Sequence, residues 1–174
     1  MDKYIIKNIK PLNTIDNGLY LVILHANDTP PHLGLIYNRQ YFSLTVKGQA
    51  LDDIEVLNKL IQRKQIKTLF FRLSDRENEL STIMEAFVEK ERVKGNITCL
   101  LPIKTALSHL YSETIASAKF IFEVLPELYG TNDIEAVFHV NMENEVENGS
   151  FAFSKYSMRD ILLRIRSYET EEVC

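Results

Sequence analysis

Two residues in this chain have the chemistry and the setting of a nucleophile and its base. Cys99 stands where the pattern GNITCLLPIKTAL begins a helix, and His32 opens the strand pattern PPHLGLIYNRQYFSLTVKG. A thiol at a helix N-terminus meets backbone N–H groups that have no helical partner and the positive end of the dipole, and both favour thiolate. An imidazole beside it can take the thiol proton. Pro102 fits a helix only in its first turn, which fixes the helix start near Cys99, with Thr98 as N-cap and Cys99 at the first helical position. Each residue also has a plainer reading. Free cysteine packs as a small hydrophobe, here among Ile97, Leu100 and Leu101, and a strand histidine often faces solvent.

The hairpin around His32 sharpens the comparison. A turn at Asn38-Arg39 sets Tyr41 opposite Ile36, Phe42 opposite Leu35, Ser43 opposite Gly34, Leu44 opposite Leu33 and Thr45 opposite His32. Leu33, Leu35, Phe42 and Leu44 then share the core face. His32, Tyr41, Ser43 and Thr45 share the other, with open space left beside Ser43 by Gly34.

Further chemistry is sparse. His25, Asp28 and His32 cluster in sequence, but their spacing matches no metal motif and His25 reads as a strand-end core residue. His139 falls on the outward phase of its strand, and His109 lies off the apolar stripe of Ile103, Leu107 and Leu110; both read as surface residues. There is no G-x-G-x-x-G, Walker loop, H-E-x-x-H or G-x-S-x-G, so neither a cofactor nor a metal is implied. The acidic run 143–147 reads as a solvated loop. Arg63-Lys64 with Lys67 reads as a solvated helix end.

The 174 residues suit a single domain able to bury a core without staples. A net charge of −4 and the lack of a basic run exclude nucleic acid as the expected partner. Only Cys99 and Cys174 are cysteines, so no disulfide framework is indicated and Cys174 is incidental. No leader-like or membrane-spanning apolar run occurs, which points to a cytoplasmic protein. The chain reads as a buried central strand over 18–26, the hairpin, a helix over 51–63 with Leu51, Ile54, Leu57 and Ile61 inward, and a strand over 66–73. A helix follows, with Leu80, Ile83, Met84, Phe87 and Val88 inward, closed by Gly95. Mostly helical chain spans 99–129, broken near Ser112. A strand over 136–142, with Ala136, Phe138, Val140 and Met142 inward, precedes another around Phe151 and Phe153. A last helix is capped by Ser157 and Asp160, with Met158, Ile161, Leu162 and Ile165 inward. Hairpins grouped apart from helices indicate an α+β fold, with an antiparallel sheet packed against helices.

Taken together, the order histidine-then-cysteine, the run His32-Leu33-Gly34-Leu35-Ile36 with Tyr41-Phe42-Ser43, the strand TLFFRL and the late cap Ser157-Met158-Arg159-Asp160-Ile161 resemble a known group. These are the circularly permuted papain-like proteins, which include NlpC-like hydrolases and lecithin:retinol acyltransferase-like enzymes. The resemblance covers roughly 18–112 plus the cap. It implies a permuted papain-like fold and a cysteine hydrolase or acyltransferase acting on an amide or ester of a small-molecule, peptide or acyl substrate. Cys99 is then the nucleophile and His32 the base. Ser43 orients His32, standing where the group often carries Glu, Gln or His, with Thr45 or Asp28 as substitutes. Backbone N–H groups near Cys99 hold the oxyanion, and Tyr41 and Thr45 line the substrate cleft. The alternative is a binding module that keeps the fold without catalysis.

Overall fold

The structure is a computed structural model and describes residues 2–171, so Cys174 lies outside the described residues. In chain order the elements are β1 (Lys3–Ile6), β2 (Ile9–Pro11), β3 (Leu19–Leu24), β4 (His32–Tyr37), β5 (Gln40–Thr45), β6 (Gly48–Asp53), α1 (Ile54–Lys64), β7 (Thr68–Leu73), α2 (Glu79–Val88), α3 (Leu100–Leu110), α4 (Ile121–Gly130), β8 (Ile134–Val140), β9 (Phe151–Ser154) and α5 (Met158–Glu171). A 3-10 turn at Glu113–Ser117 links α3 to α4. Seven strands form one sheet in the order β2-β8-β7-β3-β4-β5-β6, while β1 and β9 make a separate ribbon. Every pair in the large sheet is antiparallel except β2 with β8. The fold is α+β, a mostly antiparallel sheet packed against helices.

β3 occupies the middle of the sheet, and all six of its residues are buried. Its two faces explain this. Leu19, Leu21 and Ile23 join Leu33, Leu35, Phe42 and Leu44 in a core closed by Ile83 and Phe87 of α2, Ile103 and Leu107 of α3, and Leu125 of α4. Tyr20, Val22 and Leu24 join Ile36, Tyr41 and Phe70 in a second core closed by Ile54, Leu57 and Ile61 of α1. The hairpin turn Asn38-Arg39 has φ of 44° and 71°. Positive φ at both central residues is the type I′ geometry that matches strand twist. The resulting register is the one read from the sequence from Tyr37↔Gln40 to Gly34↔Ser43.

Several elements depart from expectation. β6 was read as the start of a helix. It instead returns from β5 through a two-residue turn at Val46-Lys47, with Gly48 at φ +132°. Leu51 is therefore an exposed edge-strand residue, and the helix starts at Ile54, capped by the Asp53 carboxylate accepting from the Glu55 N–H at 2.8 Å. α2 buries Ile83, Ala86 and Phe87, whereas Leu80, Met84 and Val88 face away from the core. Its contact stripe is one neighbouring row of the helix rather than the wider face the apolar pattern drew. α2 ends at Val88, and Gly95 sits instead in a tight turn closed by two hydrogen bonds of 2.9 Å between Lys94 and Ile97. His139 is buried, 6 % exposed, against the surface placement expected. β8 is an interior strand between β2 and β7, and its buried phase is the one that carries Val137 and His139, while Ala136, Phe138 and Val140, expected inward, are only half-buried. His109 is exposed as expected. Ser157 and Asp160 cap α5 reciprocally, the Ser157 N–H donating to the Asp160 carboxylate at 2.7 Å. Ile161 and Ile165 are buried as expected, but Met158 and Leu162 are exposed.

Candidate functional site

Cys99 is delivered to the end of the sheet by a short, well-tied connection. After α2 the Val93 N–H donates to the Thr45 carbonyl at 2.8 Å, anchoring the chain to the last residue of β5. The Lys94–Ile97 turn reverses direction, and the Thr98 carbonyl accepts from the Leu101 N–H at 3.1 Å. Cys99 itself is the N-cap, already helical at φ −61° and ψ −22°, and Thr98 makes no side-chain cap. The helix start is thus one residue later than the sequence indicated. Pro102 lies in the first turn, where its missing N–H leaves no helical bond unmade. Leu100, Ile103, Ala106 and Leu107 clamp the helix onto the face of Leu33 and Leu35.

His32 opens β4 opposite Leu24. By strand alternation it shares the α1 face with Gly34 and Ile36. Cys99 and His32 thus lie on opposite faces of the sheet, and both line the cavity at its end. The β4–β5 ladder stops at Gly34↔Ser43, although both strands run on. At that open end the backbone N–H groups of Leu33, Cys99 and Leu100 act on the Cys99 sulfur. Among the described residues no hydrogen bond of regular geometry joins Cys99 to His32.

Both residues line one cavity of about 840 Å³. Its walls include Leu24, Val56, Leu57 and Leu60 on the α1 side and Ile161, Ile165 and Tyr168 of α5, with Tyr41, Ser43, Thr45 and Tyr156 near the sheet end. Lys47, Lys64 and Lys119 also contribute, and Arg164 pairs with Asp28 at 3.6 Å. This is the scale and lining of a small-molecule site.

The electrostatics differ from the sequence expectation. Burial pushes the Cys99 thiol up to about 11, and the backbone N–H groups of Leu33, Cys99 and Leu100 only partly oppose it. Helix-start activation is real in sign but smaller than the cost of desolvating a thiolate. Burial likewise holds the His32 imidazole down at about 4, with His25 adding to the shift. The resting pair is a neutral thiol and a neutral imidazole. Tyr41 and Tyr156 are also shifted upward, chiefly by burial, so both stay protonated.

The remaining sequence candidates sort themselves by contact. Ser43 is buried, 1 % exposed, on the face of Tyr41. Thr45 is engaged elsewhere: its hydroxyl donates to the Gly48 carbonyl at 3.0 Å and accepts from the Lys47 N–H at 3.2 Å, closing the β5–β6 turn. Asp28 is committed to Arg164. The space above Gly34 is not open, for the Tyr41 ring fills it. Sequence reading missed Tyr156 and the α5 wall altogether. Ser157 and Asp160 announced that helix, but no local pattern said it would roof this cavity. Among the described residues no group of three or more His, Cys, Asp or Glu side chains is placed to hold a metal. No family model matches the chain, and no curated protein or solved structure matches it.

Proposed function

We propose that this cavity is an acyl-transfer site in which Cys99 attacks an amide or ester carbonyl and His32 serves as base, on a fold of the permuted papain-like kind. The observation that carries the reading is the convergence of Cys99, His32, Tyr41 and Ser43 on one largely apolar cavity of about 840 Å³. Both partners rest neutral, so the thiol proton passes to His32 as the sulfur attacks, rather than from a preformed ion pair. His32 then returns the proton to the leaving group. Ser43, on the same sheet face, is the orienting residue in this reading. The backbone N–H groups of Leu33 and Leu100 near the sulfur face the developing oxyanion.

The test is hydrolysis of p-nitrophenyl butyrate by wild type, Cys99→Ser and His32→Ala. Either substitution should lower kcat by about 10²-fold or more, within the range of positioned acid–base groups. Rates unaffected by both substitutions would reject the reading.

One observation favours a second reading, a binding module that keeps the cavity without chemistry: the thiol is pushed up to about 11 and lacks a hydrogen bond to His32. In that case Cys99→Ser would retain full affinity for apolar probes, and wild type would show no ester turnover.

A further inference from the structure

We propose that the Tyr41 hydroxyl is a further hydrogen-bond donor, beside the backbone N–H groups, for the carbonyl oxygen of the bond that Cys99 attacks, and is thus a catalytic residue. The inference rests on the nucleophile reading of Cys99 above. Tyr41 is 4 % exposed, and its buried hydroxyl has no hydrogen-bond partner. A buried hydroxyl left unpaired is destabilising, and a bound acceptor removes that penalty. The Tyr41 ring is packed against the β4 backbone. It lies over Gly34, where an added Cβ would come 2.3 Å from Cε2 and 2.8 Å from Cζ and Oη. Only glycine at position 34 lets the phenol cross the strand toward the end of the sheet, where the cavity and Cys99 are. Ser43 lies beside the same hydroxyl and opposes its upward shift, but makes no hydrogen bond of regular geometry to it, and both Tyr41 and Cys99 line the cavity. Burial keeps the phenol protonated at neutral pH, which leaves it a donor.

The step balances simply with a p-nitrophenyl ester. The Cys99 sulfur bonds to the carbonyl carbon, the C=O π pair moves to oxygen, and the thiol proton passes to His32. The Tyr41 O–H donates to that oxyanion as charge builds. Collapse re-forms the C=O, breaks the bond to p-nitrophenolate and leaves a thioester on Cys99; the His32 proton neutralises the departing oxygen or is lost to water.

The discriminating comparison uses two reagents on Tyr41→Phe in a Cys174→Ser background. p-Nitrophenyl butyrate acylates through an oxyanion, whereas iodoacetamide alkylates sulfur by direct displacement with none. Tyr41→Phe is expected to slow acylation of Cys99 by about 10²- to 10³-fold, as for loss of one oxyanion donor. It should leave the iodoacetamide rate within twofold and the urea midpoint unchanged or raised, because the hydroxyl has no structural partner. Undiminished acylation, an equal loss with both reagents, or a lowered urea midpoint would each overturn the role. A wild-type Cys99 that is alkylated but never acylated overturns the nucleophile reading itself, and this inference with it.

Discussion

Acid should destabilise this protein through one identifiable imidazole. Folding moves the His32 pKa from 6.5 to about 4 because burial disfavours the charged form, with His25 adding a smaller repulsion. The unfolded chain therefore binds the proton more readily than the native one. The contribution is fully present above pH 6.5, erodes as pH falls from 6.5 toward 4, and is gone below 4. At about 1.4 kcal/mol per unit, the span is worth about 3 kcal/mol, a large fraction of a typical domain's stability. The Asp28–Arg164 pair on the same cavity is partly exposed. The assay is urea denaturation at intervals from pH 7.5 to 4, comparing wild type with His32→Asn, which cannot titrate. Taking the difference between the two proteins cancels every other group. Wild type should lose about 3 kcal/mol relative to the variant across the window. Parallel pH profiles would refute the claim that His32 is held neutral by burial at the sheet end.

Three further outcomes follow from the same geometry. Gly34→Ala sets a Cβ 2.3 Å from the Tyr41 ring, so the ring must move; urea unfolding should show a loss of about 1–3 kcal/mol, and the same Gly34→Ala change made in a Tyr41→Ala background should cost much less, because the ring it meets is gone. With the thiol at about 11, the rate of Cys99 alkylation by iodoacetamide in a Cys174→Ser background should rise about tenfold per pH unit from 7 to 10; a plateau near pH 7 would mean a preformed thiolate instead. Met84→Lys on the outward face of α2, where Met84 is 53 % exposed, should change stability by less than about 0.5 kcal/mol, whereas Phe87→Ala should cost about 3–5 kcal/mol, both read from thermal or urea midpoints.

The hairpin was legible from its turn to the Gly34–Ser43 pair because two local rules agree there: an Asn-led turn sets positive φ, and period-2 alternation leaves one register; the expected Leu33–Leu44 and His32–Thr45 pairs beyond it do not form. β3 was legible for the same reason, as a run too apolar for any half-exposed strand. Burial on the second face was not legible. Whether His32, Tyr41 and Ser43 meet water or α1 depends on where a helix twenty residues later comes to lie. β6 was misread because Asp52 and Asp53 suit a helix start as well as an edge strand, and only pairing with β5 decides. The helix start at Cys99 was found to within one residue, because Pro102 confines the first turn, although Cys99 rather than Thr98 is the N-cap. Its electrostatics were not, because the N-terminal N–H groups are local while the burial that outweighs them is set by tertiary packing. The same remoteness hid Tyr156 and α5, which help enclose the cavity without any chemical signature of their own.

The most direct test of the Cys99–His32 assignment is acid-quenched intact-mass analysis of the Cys174→Ser protein mixed with p-nitrophenyl butyrate. The account predicts a butyryl adduct that maps to Cys99, appears at the rate of p-nitrophenolate release, and forms at least about 10²-fold more slowly in His32→Ala. An adduct elsewhere, no adduct in the folded protein, or equal rates with and without the imidazole would contradict it.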